Sequence, residues 1–81
     1  MNKVVSQTLG QLPEQTENGY LVLISDNPEE GLVKYINNLA IFINNTWHFP
    51  PPHEGLILFN LEIKKFMVFR KGIWEKLTEV M

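Results

Sequence analysis

Two stretches decide how this chain folds: Ala40-Ile41-Phe42-Ile43-Asn44-Asn45-Thr46-Trp47 and Met67-Val68-Phe69-Arg70-Lys71-Gly72-Ile73-Trp74. Each reads as a strand, a tight turn and a returning strand that carries a tryptophan. Asn44-Asn45 tolerates left-handed backbone, and Gly72 adopts positive φ without a Cβ penalty, which is the chemistry of two-residue hairpin turns. The stretches match position for position, and Gly19 before Tyr20–Ile24 parallels Gly55 before Leu56–Phe59. A repeated unit of strand, hairpin and tryptophan is the reading.

Working outward, Tyr20-Leu21-Val22-Leu23-Ile24 is a run of five strand formers stopped by Ser25-Asp26-Asn27-Pro28. Both of its faces are apolar, so it belongs between two layers or against another subunit. Leu32–Ile36 is predicted as a further short strand ahead of Asn37-Asn38. Thr46-Trp47-His48-Phe49 must end at Pro50-Pro51-Pro52, since proline has no amide hydrogen for a ladder. The three prolines then serve as a stiff polyproline II connector between the halves. Asn60–Lys64 alternates apolar and polar residues with period two, an extended pattern. Phe66–Phe69 and Ile73–Leu77 pair as the last hairpin, which would bring Lys64-Lys65 near Arg70-Lys71; residues 78–81 finish in a helical turn or fray.

Residues 1–12 are mostly polar and Gly10 interrupts them, so they are read as an irregular N-terminal arm or leader, with the domain over 13–81. The expected fold is therefore all-β: a small antiparallel domain built on hairpins, with two related strand-turn-strand units.

The chain has 81 residues, 44% hydrophobic and 11% aromatic, enough for one core but not two. It has no cysteine, which removes disulfides, thiol catalysis and thiolate zinc sites. A small core without disulfides raises the expectation of a homo-oligomer, a trimer included. Seven basic against nine acidic residues give a net charge of −2, which argues against nucleic acid as a partner. No signal peptide is legible and nowhere do about 18 uncharged apolar residues run together, so membrane insertion is not expected.

Trp47 and Trp74, with Phe49 beside the first, are the candidate ligand-binding residues, because an exposed indole face stacks on sugars and other flat ligands. Burial in the core or at a subunit interface is the competing and favoured reading. Nine aromatics compete for one small core, so some apolar surface is left for a partner. His48, His53 and Glu54 are the sole hint of a metal site; their spacing is not a ligand pattern, and no metal or cofactor is expected. Ser6 and Ser25 have no histidine near them in sequence and no phosphate-binding glycine loop is present, so no catalytic residue is assigned and the chain is read as non-enzymatic.

The landmarks from Pro13 to Leu77 have a familiar order. Gly19-Tyr20-Leu21-Val22, Leu39-Ala40-Ile41-Phe42, Thr46-Trp47-His48-Phe49, Pro52-His53-Glu54-Gly55 and Val68-Phe69-Arg70-Lys71-Gly72-Ile73-Trp74 follow one another. This order resembles DUF2793, a small domain of unknown function found in proteins of tailed phages, prophages and gene transfer agents. The family's glycine- and tryptophan-containing stretch before the central strand is replaced here by Asn27–Leu32, and its polar helical leader is shortened to Met1–Leu12. The resemblance implies a structural or host-attachment role in the virion or tail, other tail proteins as partners, and a cell-surface glycan as ligand. It implies location in the virion, or in the host cytoplasm before assembly, and it brings no catalytic residues.

Overall fold

In the computed structural model, which describes residues 3–77, the chain is almost entirely β, as the turn chemistry predicts. Eight strands follow in order: β1 (Lys3–Val5), β2 (Thr8–Leu9), β3 (Leu21–Ile24), β4 (Leu39–Ile43), β5 (Thr46–His48), β6 (Ile57–Asn60), β7 (Lys65–Arg70) and β8 (Ile73–Lys76). They form two four-stranded sheets, sheet I in the order β2-β3-β4-β5 and sheet II in the order β1-β6-β7-β8. In each, three consecutive strands form an antiparallel meander, and one short N-terminal strand adds in parallel. No helix among the described residues is long and apolar enough to cross a membrane.

The two meanders are copies of one another in their hydrogen bonding. Gly19 (φ 91°) donates its amide to the Phe42 carbonyl, and Gly55 (φ 87°) donates to that of Phe69. Leu23 faces Leu39 across the first sheet as Phe59 faces Phe66 across the second, and Phe42 faces Trp47 as Phe69 faces Trp74. Both tight turns have two left-handed residues, Asn44-Asn45 at φ 54° and 65° and Lys71-Gly72 at 55° and 82°, the geometry whose twist suits a two-residue hairpin. Even the turn supports recur: Asn18 Oδ1 accepts from the Asn44 amide, and Glu54 Oε1 from that of Lys71. The two glycines are 36 positions apart and the two tryptophans 27, so the β3–β4 connection of the first unit is nine residues longer.

Strand alternation then fixes the layers. Leu23 points into a cluster with Val5, Leu39 and Leu58, which lies between the sheets. Val22 and Ile24 point the other way, into a cluster with Leu32 and Ala40 that the β3–β4 connection covers. Thus β3 does lie between two layers. Each fully buried aliphatic side chain contributes on the order of 1.5–3 kcal/mol. The sheets are stacked facing the same way: the face of sheet II that packs on sheet I carries Leu58, Met67 and Trp74, the counterparts of Val22, Ala40 and Trp47 on the outer face of sheet I.

Four expectations are corrected. The N-terminal segment is not an irregular arm, since β1 pairs with β6 and β2 with β3, and Val5 is fully buried. Parallel pairing with strands distant in sequence leaves no local pattern to read. Leu32–Ile36 is not a strand; Glu30–Tyr35 is a 3-10 helix that buries Leu32 and leaves Val33 and Lys34 exposed, because the long connection must pass over sheet I on one anchor. The alternation in Asn60–Lys64 does not extend β6, which ends at Asn60; Leu61–Lys64 is a turn closed by the Lys64 amide on the Asn60 carbonyl at 2.8 Å. Lys64-Lys65 and Arg70-Lys71 consequently sit at opposite ends of β7. The reading of residues 78–81 lies outside the described residues.

Candidate functional site

Trp74 and the nine-residue difference between the units meet at one end of the intersheet layer. The long β3–β4 connection brings Ser25, Asp26 and Asn37 into the lining of a cleft of about 360 Å³, together with Thr8 of β2 and Trp74. The half-buried Trp74 indole donates to the Asn37 carbonyl at 2.8 Å, and the Asn37 side-chain amide donates to the Gly72 carbonyl at 3.2 Å. These two bonds bind the loop of the first unit to the hairpin of the second and fix the plane of the ring. Leu23 and Met67 supply apolar side chains to its lining. A flat apolar surface beside short hydroxyl, amide and carboxylate groups is a setting for a small ligand that presents both a face and hydroxyls.

The other two candidate residues are elsewhere. Trp47 donates its indole N–H to the Pro13 carbonyl at 2.9 Å and packs edge-on to Tyr20 and Phe42. Phe49 stacks on Tyr35, with centroids 4.0 Å apart and planes 7° from parallel. Both belong to the cluster over sheet I. The fold therefore brings Trp47 and Phe49 to one layer and places Trp74 in the other.

His48 and His53 are exposed on either side of the proline connector, and the His53 ring contacts the neighbouring Glu54 carbonyl. Among the described residues no group of three or more His, Cys, Asp or Glu is placed to hold a metal ion. Pro50, Pro51 and His53, with Leu21, Leu39 and Leu56, line a smaller cleft of about 190 Å³. Residue chemistry gave no warning of Thr8, Asp26 or Asn37, which reach the Trp74 cleft from separate segments. The signal available was the repeat: an insertion in one copy of a duplicated unit marks the loop that does something its counterpart does not.

Residues 1–75 match the model of a family described as a protein of unknown function, DUF2793. The chain belongs to that family. No curated protein and no solved structure gives a significant match. The DUF2793 match takes in both units and the N-terminal segment, so β1 and β2 belong to the family's shared region along with the two meanders.

Proposed function

We propose that this DUF2793 domain is a non-enzymatic structural or host-attachment part of a phage or prophage tail, working as a homo-oligomer beside other tail proteins. The observation that carries the reading is the outer face of sheet II, where Val4 and Phe66 stand exposed on a small domain whose other sheet is covered on both sides. Apolar surface of that kind is characteristic of assembly. The setting rests on what the family resemblance implies, a place among proteins of such particles. Fractionation tests it: density-purified particles from induced cells carrying the chain should contain it in fixed ratio to the other tail proteins. Recovery in the particle-free supernatant alone would contradict the proposal.

The Trp74 cleft favours a second reading, in which the domain holds a cell-surface glycan. The ring is oriented by its bond to Asn37 and flanked by Ser25, Asp26 and Thr8, polar groups suited to sugar hydroxyls. Intrinsic tryptophan fluorescence during titration with glycans from an array, repeated with Asp26→Ala, checks it. Binding that Asp26→Ala weakens supports the reading, and a silent array removes it.

A further inference from the structure

We propose that the outer face of sheet II is the seat of a second copy of this chain, packed face to face about a two-fold axis. This names the interface for the self-association proposed above and rests on that reading.

The repeat supplies the first argument. Ile57, Phe59, Phe66 and Val68 of this face are the counterparts of Leu21, Leu23, Leu39 and Ile41 in sheet I, by matching register and strand alternation. In sheet I the same face is sealed by a second sheet. The unit thus already buries this surface once by sheet-on-sheet packing; in its second copy no sheet among the described residues covers it, Val68 being buried within the chain, Ile57 and Phe59 half-buried and Phe66 exposed.

Register supplies the second. Val4 lies beside Phe59, Phe59 beside Phe66, and the Leu77 amide continues the ladder onto the Phe66 carbonyl. The four side chains form one apolar row across β1, β6 and β7 and the residue that follows β8. Val4 is 52% exposed, Phe66 43% and Leu77 38%. Phe59 and Phe66 hold each other edge to face at 4.8 Å, so the row is preformed. Ordering it on association would cost little side-chain entropy.

Charge supplies the third. The strand positions of this face carry one cation and one anion, Arg70 and Glu75, and these are paired with each other at 2.7 Å. A neutral face meets a copy of itself without like-charge repulsion, whereas a polyanion or an acidic membrane calls for excess cations.

Symmetry follows from the other end of the stack. A head-to-tail contact would need the outer face of sheet I, and that face is roofed by Leu32 and Tyr35 of the 3-10 helix together with Leu12 and Phe49. Among the described residues the matching face is thus the open sheet face that a second copy has to offer, and a contact between two such faces is isologous and closes at two chains.

Sedimentation velocity over a concentration series tests the interface, with Phe66→Glu, Val4→Glu and, as a control on the roofed end, Val33→Glu. The wild type and Val33→Glu should be dimers, while each of the other two raises the dissociation constant by about 30-fold or more. Circular dichroism and unchanged thermal unfolding of the separated monomers show that the variants fold; Val4→Glu, on an edge strand, serves if Phe66→Glu does not. A wild-type monomer at about 100 μM overturns the interface and self-association together. A wild-type oligomer that both variants leave intact overturns the interface alone, and a trimer overturns the two-fold pairing.

Discussion

Leu23 and Phe59 hold the same position in two equivalent β units, yet Leu23 is sealed beneath a second sheet while Phe59 lies on a face that no sheet among the described residues covers. The difference arises because the units stack facing the same way. A stack of that kind has two unlike ends: one is roofed by the β3–β4 connection, and at the other Val4 and Phe66 stand exposed among the described residues.

The N-terminal segment is structural. Val5 is fully buried in the intersheet cluster, and its strand pairs with β6. Val5→Ala should lower stability by about 2 kcal/mol, from two lost methyl groups and the cavity they leave. Urea denaturation measures this, and a change within error would return residues 3–9 to the status of an appendage.

The two hairpin turns need left-handed backbone, and Lys71 adopts it at φ 55° with a side chain poorly suited to it. Lys71→Asn should raise stability by roughly 0.5 kcal/mol by giving the second turn an Asn-Gly pair. Gly72→Ala, at φ 82° and with open space around the new methyl, should lower it by about 1 kcal/mol through backbone strain alone. Thermal unfolding of the two variants should move in opposite directions.

The tryptophans are equivalent in the repeat but differ in what they hold. Trp74→Phe removes a part-buried bond to the Asn37 carbonyl that joins the two units, and should cost about 1–2 kcal/mol. Trp47→Phe removes a more exposed bond to Pro13, where water can replace the indole, and should cost less than about 1 kcal/mol. Chemical denaturation of both variants gives the order, and the reverse order would mean that Trp47 carries the tighter junction.

Local chemistry revealed the part of the fold that is locally encoded. Asn44-Asn45 and Gly72 announce their turns, Tyr20–Ile24 announces a strand between layers, and the spacing of Trp47 and Trp74 announces the repeat. What stayed hidden depends on distant partners. Thr8 beside Leu23 and Val5 beside Asn60 are parallel pairings that no neighbouring residue signals. Leu32–Ile36 has strand composition, and only its place above sheet I makes it helical. Of the three site candidates, Trp74 lines the intersheet cleft, while its partners there, Asp26 and Asn37, come from an insertion whose meaning shows only against the shorter turn of the second unit.

If the outer face of sheet II receives a second copy, the environment of its side chains changes as the chain is diluted. Aromatic and methyl NMR spectra recorded across a dilution series of the unmodified chain read that face directly. Concentration-dependent shifts are expected to be confined to Val4, Ile57, Phe59, Phe66, Val68, Ile73 and Leu77. Spectra independent of concentration, or shifts centred on Trp47 and Phe49 over sheet I, would contradict it.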